Sequence, residues 1–300
     1  MRKLFGPADL LTLLFLALLI ILTLFSVPLN PAWPGLLSTY TVLGGAIALA
    51  ATYRRHARNK KLGLYVSAAV TVVTILLMFN SLGALIAGLR HATFDNTLIA
   101  VDHALFGVHP TVWMERMINP LLTAILQFAY ISYYFIPLSL GIVLIAKGRH
   151  ADFDDALFGI VLCFYLSYIG YLLVPAIGPR FTLAHLQTAN LQAGPFITMI
   201  QETLNGLEKN KTDAFPSGHT AVALMSLYYA WKKKEGLLAG ILLPVASALV
   251  FSTVYLRYHY VIDVIAGIAL TGLTIALAPW LRRLLSGAPG DPGEKRHRPS

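Results

Sequence analysis

Eight stretches of the sequence are apolar enough, and all but the shortest long enough, to cross a bilayer as helices, which takes about 20 residues each. They are residues 9–28, 36–53, 62–85, 121–146, 156–175, 215–231, 237–255 and 258–281. No other feature constrains the fold as strongly. The runs are too long for barrel strands. Composition closes the soluble alternative: 57% of the 300 residues are hydrophobic and 12% are charged, against roughly 25% charged in soluble domains. A single core of this size cannot hide so much apolar surface. The expected fold class is therefore all-α, a polytopic helical membrane protein of about eight transmembrane helices.

The basic surplus fits that reading better than it fits nucleic acid. Of 23 Lys and Arg residues, 17 fall on one side of the alternating map: at both ends of the chain and in the loops around 54–61, 147–149 and 232–234. Arg90, Arg116, Arg180, Lys209, Lys211 and Arg257 fall on the other. The positive-inside rule then expects both termini in the cytoplasm, with the basic clusters against anionic headgroups. The first span follows a basic start but is longer than a signal-peptide core and lacks a small-x-small cleavage site, so it is expected to be retained. Lone Cys163 allows no intramolecular disulfide.

Three parts are expected: residues 1–61, two helices and a basic cytoplasmic loop; 62–285, a six-helix catalytic core; and 286–300, a Gly- and Pro-bearing disordered cytoplasmic tail. Two non-cytoplasmic segments exceed simple turns. Residues 91–120 carry Phe94, Leu98, Val101 and Leu105 at helical spacing, which predicts a helix lying on the membrane. A second short amphipathic helix is expected over 195–207.

Ionisable groups beside spans are costly and point to function. Three sets stand out, all on the non-cytoplasmic side. Gly178-Pro179-Arg180 ends the fifth span and leaves Arg180 at the surface. Phe215-Pro216-Ser217-Gly218-His219 opens the sixth, where Ser217 and Gly218 would offer a hydroxyl and backbone N–H groups at a positive helix end. Tyr255-Leu256-Arg257-Tyr258-His259-Tyr260-Val261-Ile262-Asp263 opens the eighth, with His259 and Asp263 one turn apart. Asp263 accepting from one ring nitrogen would leave the other as a nucleophile.

Two arginines and a helix start call for an anion with several oxygens. A His backed by Asp is a nucleophile, and a second His is a general acid or base. The combination describes phosphoryl transfer through a phosphohistidine, with no cofactor and no metal. Zinc on His219, His259 and Asp263 is the competing reading, opposed by the arginines beside it.

These residues resemble the type 2 phosphatidic acid phosphatase (PAP2) superfamily. Its second motif, Pro-Ser-Gly-His, matches Pro216 to His219, and its third ends in His-x-x-x-Asp, matching His259 to Asp263. The resemblance covers 62–281 and implies a six-helix core in which His259 attacks, Asp263 orients it and His219 protonates the leaving oxygen. The chain departs from the family's first motif, Lys-x6-Arg-Pro: it has Gly-Pro-Arg, with Leu173 in the lysine's place. Where the third motif has Ser-Arg, this chain has Ser252-Thr253, and its arginine is Arg257. That pattern is similar to the inositol phosphorylceramide synthase and sphingomyelin synthase branch.

The expected function is a membrane enzyme that moves a phosphate or phosphoryl headgroup between lipids at the non-cytoplasmic face. Its partners would be a phosphorylated lipid and an acceptor, either a lipid alcohol or water. His259, His219 and Asp263 would be catalytic, and Arg180, Arg257, Ser217 and Gly218 would hold phosphate. Gln127, Tyr130 and Tyr134, with Tyr133, would line a headgroup pocket. A simple lipid phosphate phosphatase is the alternative within the class. A transporter would place its ionisable groups near the bilayer midplane instead, and a vanadate haloperoxidase would have no use for lipid access.

Overall fold

The computed structural model describes residues 4–90, 92–191, 194, 199, 206 and 210–286. All of the expected tail but Ser286, and most of the expected helix over 195–207, lie outside the described residues.

The protein is an all-α polytopic membrane protein. Among the described residues, seven helical stretches are long and apolar enough to span a bilayer. They are α1 (Pro7–Ser26), α2 (Trp33–His56), α3 (Lys60–Leu89), the α6–α7 pair (Pro120–Ile131 and Phe135–Ala146), α8 (His150–Leu173), α11 (Gly236–Tyr255) and α12 (Val261–Ser286). A 3-10 turn at Ser132–Tyr134 joins α6 to α7. Short helices α4 (Asp95–Phe106), α5 (Pro110–Trp113) and α9 (Pro179–Thr182) lie between the spans.

The sixth expected span is the shortest. It becomes α10 (Gly218–Lys232), of 15 residues, about 22 Å long at 1.5 Å per residue. Residues 215–217, counted into the span from sequence, instead form the turn that starts it. Ser217 caps the helix, its Oγ accepting from Thr220 N–H at 3.2 Å.

Helix α8 organises the bundle. One side packs with α7, α10 and α12, and the core there, which α11 also joins, includes Leu140, Leu144, Ile160, Val222, Met225 and Leu249. Another packs with α1, α2 and α3 around Leu19, Tyr40, Met78, Leu82 and Tyr165. A helix apolar all round is expected to be surrounded, and 61% of the α8 span is buried against 28–39% for the others. The remaining spans leave large apolar side chains such as Phe25, Leu49 and Leu237 exposed, as lipid-facing surfaces must.

The two ends of α10 differ in chemistry. At its C-terminal end, Lys233 pairs with Asp152 at 3.0 Å and Asp155 at 2.6 Å. Beside them, Glu235 pairs with Arg149 at 2.7 Å and Lys147 at 2.5 Å. Its N-terminal end carries His219 and lies beside His259.

Helix α4 departs from expectation. It exists, ends at Gly107 in the left-handed conformation (φ 69°), and exposes Leu105. Yet it does not simply float on an apolar face: Asp95, Asp102 and Leu98 are all buried. On a helix that only lay on the membrane, both aspartates would face water. The structure turns them inward, where loop N–H groups need acceptors.

Candidate functional site

Three chain segments meet at the N-terminal end of α10. The first is the turn after α8. Gly178 has φ 86°, and a Cβ there would lie 2.7 Å from the Tyr258 carbonyl, so only glycine fits both the conformation and the approach. Pro179 then starts α9 and Arg180 projects from it, with its guanidinium carbon 5.7 Å from the Tyr258 ring centroid.

The second segment is the start of α10. His219 lies in its first turn, nearly buried, with its ring centroid 4.7 Å from that of Tyr130 and 4.3 Å from that of Tyr133. Its Nε2 has no hydrogen-bond partner among the described residues. The third segment is the turn into α12. His259 lies in the bend before α12 rather than on the helical face that its spacing from Asp263 suggested, yet the two side chains still meet, and both are buried.

His259 Nδ1 is 2.7 Å from the Ala214 carbonyl oxygen and 3.4 Å from Asp263 Oδ2. A carbonyl only accepts, so Nδ1 carries the ring proton and donates it. The lone pair is therefore on Nε2, which faces His219 Nδ1 at 3.4 Å. Sequence reasoning had Asp263 accept from one ring nitrogen; the Ala214 carbonyl lies closer to that nitrogen, with Asp263 beside it. Asp263 also accepts from Tyr260 N–H at 2.8 Å, and its own carbonyl accepts from Ser217 N–H at 2.9 Å. It thereby ties the α12 turn to the α10 cap.

Both histidines border a cavity of about 390 Å³, with Arg180, Lys211, Tyr130 and Tyr258 also on its wall. Arg180 is the predicted phosphate ligand that lines it. Ser217 and Gly218 do not line it. Ser217 N–H is spent on Asp263 and its Oγ on the helix cap, while Gly218 N–H donates to the Tyr171 hydroxyl. Their N–H groups are engaged within the protein rather than turned to the cavity.

Arg257 is also engaged elsewhere. In the left-handed conformation (φ 66°), its Nη2 donates to Glu115 Oε1 and to the Ala189 carbonyl, both at 2.7 Å, and Nη1 donates to Gln187 at 3.2 Å. Burial lowers the Arg257 pKa; Glu115 opposes this and neighbouring Arg180 adds to it. The group remains charged at any physiological pH. Burial raises the Glu115 carboxyl, but hydrogen bonds from Thr188 and the charge of Arg257 outweigh it, leaving Glu115 below its ordinary value.

Of the expected headgroup residues, Tyr130 lines the cavity. Gln127 is buried within α6 with Nε2 unpartnered among the described residues and does not line it. Tyr133 and Tyr134 line a separate apolar groove.

Sequence reasoning missed the groups that hold these segments in place. Asp95 accepts from Ile177 N–H at 3.0 Å, Gly178 N–H at 2.9 Å and the Tyr260 hydroxyl at 2.9 Å. Asp102 accepts from Val261 and Ile262 N–H, each at 2.8 Å. One helix thus grips both the Arg180 turn and the first turn of α12. The available signal was the spacing: seven residues apart is two helical turns, hence one face. Glu115, the partner of Arg257, gave no such signal. Among the described residues, no group of three or more His, Cys, Asp or Glu side chains could hold a metal ion.

A histidine with one nitrogen pinned as donor and its lone pair turned to a second histidine, beside a cavity that Arg180 and Lys211 line, is suited to nucleophilic attack on a phosphoryl group. Residues 96–277 match the PAP2 superfamily. The chain belongs to the PAP2 superfamily. Within the PAP2 match lie Asp102 and the full set of site residues, while α1, α2 and α3 precede it. A PA-phosphatase related-family protein of Dictyostelium discoideum is 26% identical over 259 residues, which is 72% of this PAP2 chain and 46% of that protein. The chain thus spans about half the length of the curated relative it matches. No solved structure matches it.

Proposed function

We propose that this PAP2 protein transfers the phosphoryl group of a lipid phosphate through a phosphohistidine at His259, at the non-cytoplasmic face, with both termini cytoplasmic. The observation that carries the reading is the Nδ1 bond to Ala214, which leaves the lone pair on Nε2, beside His219 Nδ1 at the cavity wall. Arg180 holds the phosphate oxygens, assisted by Lys211. Nε2 attacks phosphorus, the bond to the leaving oxygen breaks with its electron pair, and His219 supplies that oxygen with a proton. An acceptor hydroxyl then gives a proton to His219 while its oxygen attacks phosphorus and the N–P bond breaks.

Asp263 orients the α12 turn in this scheme, and Arg257 holds the loop at 187–189 through its bonds there. Residues 62–285 form the catalytic core, and α1 with α2 supports it. The acceptor we favour is a lipid alcohol, on the motif pattern shared with inositol phosphorylceramide and sphingomyelin synthases. Water is the second reading, favoured by the relative described as PA-phosphatase related. Purified protein given a labelled lipid phosphate, with and without a lipid alcohol, separates them. Label in a new lipid supports transfer; free phosphate alone in both samples contradicts it and leaves the phosphatase.

A further inference from the structure

A second cavity of about 650 Å³ lies between α3, α7 and α8. Its wall is almost wholly apolar, with Val72, Leu76, Gly141, Ile142 and Phe164 along it. It is open to the bilayer, since Leu76 and Ile142 remain exposed. Only one end is polar, and there it is bounded by Asp213 and His219. Those same two residues border the phosphate cavity, so the two spaces adjoin at His219. The His219 ring borders both spaces and packs against Tyr130, which lines the first, and Tyr133, which lines the second.

Along α3 the groove runs from Asn80 back to Tyr65. Fifteen helical steps make about 22 Å. One leaflet of a bilayer offers about 15 Å of hydrocarbon, half of a 30 Å core. The groove is therefore deeper than a single leaflet. In a bilayer the hydrophobic effect gives a chain no reason to leave its neighbours, so selection must come from packing and shape.

We propose, building on the phosphoryl-transfer reading, that this groove binds the hydrocarbon chain of the substrate. The class is the phosphate ester of a long-chain alcohol whose single chain reaches beyond one leaflet. The phosphate sits at Arg180 and His259, the ester oxygen at His219, and the chain runs from there along α3 toward Tyr65. The proton donor then stands where the chain-bearing oxygen leaves.

The test uses full-length protein in phospholipid vesicles and a long prenyl phosphate with a photoreactive diazirine at the far end of its chain. Adducts are expected around residues 65–69 and 141–145. Excess unlabelled phosphate of the same chain should remove them, and the phosphate-free alcohol should not. Adducts spread over outer helix faces and indifferent to competition would overturn the proposal. A second measurement is the ratio of long-chain to short-chain kcat/KM in Val72→Trp, which blocks the groove midway. A fall of about tenfold is expected; equal loss on both substrates would overturn it. Labelling needs no turnover, so the two readings fail separately. A labelled groove without phosphoryl transfer sinks the function and keeps the chain site. Turnover without groove labelling does the reverse.

Discussion

The two ends of α10 use acidic residues in opposite ways. At the Lys233 end, carboxylates meet flexible cations: Asp152, Asp155 and Glu235 against Lys147, Arg149, Lys232, Lys233 and Arg282. At the histidine end, Asp95, Asp102 and Asp263 accept mainly from backbone N–H groups, and Glu115–Arg257 is the ion pair. Long cationic side chains tolerate adjustment, and their pairs contribute little individually. A carboxylate bonded to two consecutive N–H groups fixes a piece of main chain. The first arrangement suits a layer that holds helix ends together. The second suits a site in which reacting atoms must stay within a fraction of an ångström.

This contrast can be broken by substitution. The largest effect is expected at the reacting atoms: His259→Ala should lower turnover of a lipid phosphate by about 10³-fold or more, with folding intact by circular dichroism. Full activity would remove His259 from the chemistry. Next comes Asp102→Ala, which leaves Val261 and Ile262 N–H without their acceptor. It should cost about 2 kcal/mol of stability and lower kcat by about 10- to 100-fold, with KM little changed. A loss of stability with kcat unchanged would mean that Asp102 is a scaffold group only.

The third effect depends on pH. Glu115 titrates below its ordinary value in the folded protein, so its contribution is complete above the ordinary glutamate range and is lost as pH falls through the lowered value. Thermal stability should fall in that acid window, and Glu115→Gln should flatten the fall. An unaltered acid profile in the variant would assign the loss to other carboxylates. The smallest effect belongs to the other end. Lys233→Ala should cost about 1 kcal/mol or less and leave kcat unchanged; a large loss of activity would erase the contrast between the two ends.

What the sequence disclosed follows the same division. Local signals were readable: long apolar runs, the turn carrying Pro216 and His219, and the one-turn spacing of His259 and Asp263. Each of these is set within a few residues, where helical periodicity fixes the neighbours. The bonds that position the site link distant residues. Asp95 reaches Ile177 across 82 positions, Asp102 reaches Val261 across 159, and Arg257 reaches Glu115 across 142. No periodicity records such pairings. The same reason explains why Ser217, Gly218 and Arg257 looked available for phosphate: their partners, Asp263, Tyr171 and Glu115, become evident only in the folded chain. Helix α4 was visible as amphipathic, but which of its faces meets protein was not, because both loops it grips come later in the chain.

The most direct test of the central claim is to trap the covalent intermediate. Protein mixed briefly with a labelled lipid phosphate and denatured in alkali should retain label that acid releases, located by peptide mapping on His259 and absent from His259→Ala. Label on another residue, or turnover in the His259→Ala variant at the rate of the native protein, would contradict it.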